Sequence, residues 1–320
     1  MLNRRTFLTS AAVLPLVAHA APVWAQAKLS VVATTSMIAD AVRQVGGDLV
    51  EVRALMGPGV DPHAYRQTRA DIAAMARADI VFAHGLYLEA QMEDFLNTLS
   101  DRRTVVWVGE AVPEDLRIGH EDYAGRHDPH VWMVPELWAH VVTAIREALS
   151  TAQPASAEVF AAQAEAHLAE VTALGAYTRD RLASVPEGAR VLITAHDAFS
   201  YFGDEYGFEV MGILGISTES EAGLARIREL VDLIVDRKIG AVFVESSVSD
   251  RNIKALIEGA AAQGHEVQVG AQLFSDAMGA PGTYEGTYIG MIDHNVTHIA
   301  RVLGGSAPDG GLNGQLALGS

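Results

Sequence analysis

Three histidines stand in loops that directly follow predicted strands, each beside an acid. His63 closes Asp61-Pro62-His63, His130 closes Asp128-Pro129-His130, and His196 opens His196-Asp197 after the run Val191 to Thr194. Asp276, in Leu273-Phe274-Ser275-Asp276, takes the same place after the last predicted strand. Imidazole and carboxylate suit zinc, manganese and iron. Proline fixes φ, so the backbone that presents His63 and His130 is stiff. A stiff loop lowers the ordering cost of binding. Asp61 and Asp128 are placed to orient the imidazoles from behind. Glu245 ends a strand at the same cleft and is read either as a further carboxylate of that kind or as a solvated acid. The chain has no cysteine, so thiolate metal sites, disulfides and cysteine nucleophiles are excluded. A metal here must be held by nitrogen and oxygen.

The chain has 12 histidines, and most need a blander reading. His140, His167, His265, His294 and His298 fall on predicted helices or turns, where solvated or satisfied structural roles are expected. His84 follows a strand and stays open as a ligand. His120 and His127 precede His130 in its loop and are expected to be exposed, with weak accessory metal contacts at most. One Asp-Pro-His is weak evidence. Two of them, with His196 at an equivalent place, make a site. Trp132 and Phe199 are either the apolar wall of that site or plain core.

The elements that must position these residues alternate in a β-α-β-α rhythm. Predicted strands are Leu29 to Ala33, Val50 to Leu55, Ile80 to Ala83 and Thr104 to Val108. Predicted helices between them are Met37 to Val45, Ala70 to Ala78 and Leu88 to Leu99. Two helical stretches follow, Val134 to Ala152 and Ala155 to Ala183, broken by Pro154. The alternation then resumes through strands at Val191, Phe208, Ala241 and Val267, and ends in a helix over Tyr288 to Leu303. This is an α/β fold with parallel sheets flanked by helices. It divides into an N-terminal lobe over 28–150, a linking helix over 151–186 and a C-terminal lobe over 187–303. A glycine-rich tail over 304–320 is expected to be disordered. Ligands in such sheets bind outside the carboxyl ends of the strands. Each half supplies two of the four candidates there, so they are expected to converge in the cleft between the lobes.

The N-terminus carries Arg4-Arg5 and then an apolar, small-residue run. Residues 1–27 are read as an export signal of the twin-arginine type, which places the protein in the periplasm. No cysteine follows it, so no lipid anchor is expected. No later run approaches the ~20 apolar residues of a membrane span, so direct membrane insertion is not expected. A formal net charge of −17 argues against nucleic acid and anionic lipid as partners. A monomer is expected.

Several segments together resemble the periplasmic metal-binding proteins that serve ABC importers for zinc, manganese and iron. They are Val60-Asp61-Pro62-His63-Ala64-Tyr65, Asp128-Pro129-His130-Val131-Trp132 and Ala195-His196-Asp197-Ala198-Phe199-Ser200-Tyr201-Phe202. Gly215-Ile216-Ser217-Thr218, Val242-Phe243-Val244-Glu245 and Gly282-Thr283-Tyr284 add to them. The resemblance runs from about Lys28 to Leu303. It implies that His63, His130, His196 and Asp276 are the metal ligands and that two α/β lobes are joined by one long rigid helix. It also implies a divalent transition metal as cargo and the membrane permease of an ABC importer as partner.

Two departures bear on the metal. Zinc-specific members carry a long loop rich in histidine and acids before the second ligand, whereas 118–126 here holds only His120 with some acids. Several manganese members have glutamate at the third ligand, where this chain has His196. The three-histidine, one-aspartate set and Gly286-Thr287-Tyr288-Ile289-Gly290-Met291 resemble the treponemal-type branch. Manganese is favoured on the missing loop, with zinc or iron as alternatives. A metal-dependent hydrolase is the first competing reading. It needs an open coordination position, which four protein ligands do not leave, and there is no His-Glu-x-x-His helix. An adhesin or other interaction protein is the second, and capture of a metal chelate the third.

Overall fold

The structure, a computed structural model, describes residues 27–119 and 124–317. Residues 1–26 of the expected export signal, and His120, lie outside the described residues. Strands β1 (Leu29–Ala33), β2 (Val50–Ala54), β3 (Ile80–Ala83) and β4 (Thr104–Trp107) form one parallel sheet in the order β2-β1-β3-β4. The two central strands are the apolar ones: all of β3 and the last three residues of β1 are buried. A parallel sheet covered on both faces demands such runs. The covering helices are α1 (Ser36–Gly46), α2 (Arg69–Met75), α3 (Glu93–Ser100) and α4 (Pro135–Ala152). Their starts follow local chemistry. The Thr35 hydroxyl accepts the Ile38 N–H at α1, Thr68 and Asp71 form a reciprocal capping box at α2, and Pro135 opens α4.

Helix α5 (Ala157–Ala183) runs for 27 residues, or about 40 Å. Its buried residues Phe160, Ala164, His167, Val171, Leu174, Thr178 and Leu182 recur every three or four positions, one stripe of a helix. That stripe packs against α1, α4 and the last helix, α9 (Tyr288–Val302). A single apolar cluster therefore runs from Val31 and Trp138 through Phe160 to Phe243 and Val296. The lobes share this core along the helix, which resists a free hinge between them.

The second lobe contains β5 (Val191–Thr194), β6 (Glu209–Gly212), β7 (Ala241–Glu245) and β8 (Gln268–Leu273). They pair in parallel as β5-β6 and β7-β8, with β5 lying beside β7. Helices α6 (Ser200–Tyr206), α7 (Leu224–Arg237) and α8 (Arg251–Ala262) complete it with α9.

Three places differ from the sequence reading. No helix begins at Leu88. Leu86 and Tyr87 take left-handed φ values of 54° and 70°, and a short 3-10 turn over Ala90–Met92 precedes α3. The cause is Glu89, whose buried carboxylate accepts the backbone N–H groups of His84 and Gly85 and the Thr34 hydroxyl, folding the segment back on itself. Strand β8 extends to Leu273, which carries the chain further toward Asp276. The glycine-rich tail, expected to be disordered, is packed as far as it is described. The Leu312 N–H donates to Asp293, Asp309 pairs with Arg301, and Leu316 is buried. Asp293 on α9 accepts from the Tyr284 and Thr297 hydroxyls, and the tail adds the backbone N–H groups of Leu312 and Asn313.

Candidate metal centre

The four candidates meet in the cleft, each at the carboxyl end of a strand. His63 follows β2, His130 the long loop after β4, His196 the end of β5, and Asp276 the end of β8. One donor atom from each lies within 4.8 Å of the others. All four are sealed from solvent: His63 and Asp276 are 2% exposed, His130 and His196 0%. Nε2 of His63 stands 3.3 Å from Nε2 of His130. Asp276 turns one oxygen to each neighbour: Oδ1 is 3.4 Å from His130 Nε2 and Oδ2 is 3.2 Å from His196 Nε2. Ligands about 2.1 Å from one ion in a tetrahedron stand about 3.4 Å apart, so these spacings suit a single ion.

Carboxylates behind the rings decide which nitrogen faces inward. Asp128 Oδ1 accepts Nδ1–H of His130 at 2.6 Å, and Glu245 Oε2 accepts Nδ1–H of His196 at 2.5 Å. With Nδ1 committed as a donor, each Nε2 points into the cage as a bare lone pair. His196 Nε2 and Asp276 Oδ1 have no hydrogen-bond partner. Buried lone pairs facing one another are costly unless something positive sits between them. In the metal-free protein that something is a proton. Burial alone would push the His130 imidazole down, but the Asp128 and Asp276 carboxylates override it and hold it up at about 9. His196 is likewise raised well above its ordinary value by Asp276 and Glu245, against burial. Asp276 resists the upward push of burial because His196, His130 and His63 hold it well below the carboxylate range.

The local backbone explains how these side chains reach their places. Asp128 also accepts the His130 backbone N–H at 2.8 Å, and Asp61 accepts that of His63 at 2.9 Å, so both Asp-Pro-His turns close on their own aspartate. There the two part. The second oxygen of Asp61 accepts the Thr218 hydroxyl from the opposite lobe, so Asp61 fixes the loop across the cleft in addition to the turn. Glu245 also accepts the His196 backbone N–H at 2.9 Å. Gly212 ends β6 against this turn, where a Cβ would fall 2.5 Å from the Asp197 backbone nitrogen. Only glycine lets the strand approach so closely.

His84 is buried beside the site without joining it. Its Nε2–H donates to the Pro129 carbonyl at 2.7 Å and its ring packs edge-on against Trp132. Burial pushes it down to about 3, so it is a neutral strut under the His130 loop. His127, expected to be exposed, is half-buried in a β-bridge with Gly119. Phe199 is core, fully buried. Trp132 is more than a wall. Its indole N–H donates to the Ser275 carbonyl at 2.8 Å, tying the residue two after His130 to the residue before Asp276. The sequence reading did not assign this bond or the Thr218 contact. Thr218 was visible only as part of Gly215-Ile216-Ser217-Thr218.

Fold and site together define a helix-linked, two-lobed binding protein with a buried cluster of three histidines and one aspartate in its cleft. Residues 31–302 match the family described as zinc-uptake complex component A, periplasmic, and the chain belongs to that family. Among curated relatives, the manganese-binding lipoprotein MntA of Bacillus subtilis is 46% identical over 279 residues, 87% of this chain and 91% of that one. The zinc-binding protein TroA of Treponema pallidum is 43% identical over 87% of this chain and 90% of its own. The iron-binding protein YfeA of Yersinia pestis is 32% identical over 87% of each chain. The solved structure of the treponemal zinc-binding protein superimposes with a TM-score of 0.84, covering 86% of this chain and 99% of that one.

Proposed function

We propose that this protein captures one divalent transition-metal ion in the inter-lobe cleft through His63, His130, His196 and Asp276. It then delivers the ion to the membrane permease of an ABC importer. One observation carries the reading: donor atoms of three buried histidines and a buried aspartate lie within 4.8 Å of one another, with two of the rings held at Nδ1 by buried carboxylates so that Nε2 faces the two oxygens of Asp276. That arrangement is complete only around a cation. The ion is cargo. All of the donors facing the cage come from protein side chains, and among the described residues no general base is placed beside them, so the site reads as a carrier rather than a catalyst.

Manganese is the favoured cargo, with zinc or iron as alternatives. Both oxygens of Asp276 face the cage, which supplies the additional oxygen that manganese prefers, and the relative from Bacillus subtilis is named for manganese. Export by a twin-arginine signal over 1–27 to the periplasm, action as a monomer and the absence of direct membrane insertion belong to the same proposal. Among the described residues no helix is long and apolar enough to cross a membrane.

The test is elemental analysis of the protein purified from its native compartment without chelator, followed by competition of zinc against manganese on the metal-free form. One equivalent of manganese is the expected result. One equivalent of zinc keeps the carrier and changes the cargo. No bound metal, with no rise in melting temperature on adding any of the three, overturns the proposal.

A further inference from the structure

The two Asp-Pro-His turns are fastened to the opposite lobe in different ways. The His130 turn is held by buried bonds. Trp132 donates to the Ser275 carbonyl, and Tyr201 on α6 donates to the Asp128 carbonyl at 2.9 Å while accepting the Ile118 N–H at 3.0 Å. Tyr288 at the start of α9 donates to the Trp132 carbonyl at 2.9 Å. Asp128, Trp132 and Ser275 are all fully buried. Such bonds have no water to exchange with and are expected to persist whether or not the site is filled.

The His63 turn is fastened at the solvent edge. Asp61 and Thr218 are both half-buried, and their carboxylate and hydroxyl meet at 2.5 Å. Thr218 lies in the loop between β6 and α7. The base of that loop is pinned to the His196 turn: the Asp197 N–H donates to the Gly215 carbonyl at 3.2 Å and the Leu214 N–H to the Ala195 carbonyl at 3.0 Å. The next residue, exposed Glu219, accepts from Gln91 of the first lobe. Gly59, with φ of 69°, brings the turn close to the Ser246 carbonyl, which a Cβ at that position would meet at 3.4 Å. One loop of the second lobe thus spans the mouth of the cage and grips the turn that presents His63.

We propose that Thr218 is a positioning residue for metal retention: its bond to Asp61 latches the His63 turn across the cleft mouth and sets how fast the captured ion leaves. This rests on the metal-carrier reading of the four-residue site. The latch acts through Asp61 on His63 and touches no ion itself. The bond lies across the cleft mouth, outside the four candidate ligands, so it opposes the departure of an ion already seated. Its loss therefore falls on the dissociation rate, as most changes within one binding site do. The bond is charge-assisted and only partly exposed, so its removal is worth about ten- to a hundredfold in that rate.

The experiment is chelator-chased dissociation of manganese, with zinc in parallel, from the full chain carrying Thr218→Val, Thr218→Ala or Thr218→Ser. Valine keeps the shape and removes the hydroxyl. Serine keeps the hydroxyl. Expected are faster release from the valine and alanine variants by about ten- to a hundredfold, near wild-type release from the serine variant, an association rate within about twofold of wild type, and one equivalent bound in every case. Unchanged release from Thr218→Val, or equally fast release from Thr218→Ser, overturns the latch and leaves the carrier reading intact. A wild-type protein that binds no metal overturns the carrier reading, and the latch falls with it.

Discussion

Glu245 holds His196 at two points: Oε1 accepts the backbone N–H at 2.9 Å and Oε2 accepts the ring Nδ1–H at 2.5 Å. The first bond fixes where the turn lies, and the second fixes the tautomer and adds basicity to the nitrogen that faces the cage. Glu245→Gln keeps the size but offers one acceptor for two donors. The amide NH₂ must then confront either the backbone N–H or the ring. Metal affinity is expected to fall about 10- to 100-fold, with the fold retained, measured by competition against a chelating dye. An unchanged affinity would show that the orientation of His196 comes from elsewhere.

Much of this arrangement is legible in the sequence because its signals are local. Strands β1, β3 and β5 fall where the apolar runs place them, since buried parallel strands read as unbroken hydrophobic stretches. The Asp-Pro-His turns announce themselves because proline and a neighbouring aspartate constrain a histidine over three residues. The Leu86–Tyr87 turn is different. Glu89 looks like a surface helix acid until its buried contacts to His84 and Gly85 are seen. The bonds between Trp132 and Ser275, 143 positions apart, and between Asp61 and Thr218, 157 apart, leave no periodic trace at either end. Contacts that cross the cleft depend on how the lobes are docked, and α5 and the shared core decide that.

Protonation of the cage gives the metal-free protein an unusual pH profile. His130 is held up at about 9 by Asp128 and Asp276, against burial, whereas its unfolded value is about 6.5. Its proton therefore stabilises the folded state fully below about pH 6.5, and that contribution is lost as pH rises through 9. Asp276, held well below its ordinary value by the three imidazoles, acts in the opposite direction, and its contribution is lost only in acid. The melting temperature in chelator is expected to fall between about pH 6.5 and 9. With saturating metal the fall should disappear, because the cation replaces the proton. Affinity should rise across the same interval, since each bound ion displaces a proton. Calorimetry at four pH values, with and without metal, checks both, and a flat metal-free profile would count against a protonated His130.

His63→Ala and His130→Ala should both remove most of the metal affinity, more than the about 10- to 100-fold lost when only a partner that orients a ligand is changed. They should differ in stability. Removing the His130 ring leaves Asp128 fully buried without its imidazole partner, which costs about 3–5 kcal/mol. Removing the His63 ring leaves Asp61 half-exposed and still bonded to Thr218 and to the residue-63 backbone N–H. In chelator, the His130 variant is therefore expected to melt well below the His63 variant. Equal melting temperatures would mean that Asp128 is satisfied without the ring.

Trp132→Phe separates the tie between lobes from the packing around it. Phenylalanine retains an aromatic face toward His130 and His84, whose rings contact Trp132 at centroid distances of 5.1 and 4.9 Å. What it removes is the indole N–H, which leaves the Ser275 carbonyl without that donor in a fully buried place. An orphaned buried acceptor costs about 1–3 kcal/mol, so the melting temperature should drop by several degrees. Because Ser275 precedes Asp276, the carboxylate should also lose its exact distance from His130 and His196, and affinity should weaken about tenfold. The two readouts test different halves of the argument. A lower melting temperature with unchanged affinity would make Trp132 a structural strap alone, whereas weaker binding in a variant of unchanged stability would make it chiefly a spacer between ligands from opposite lobes.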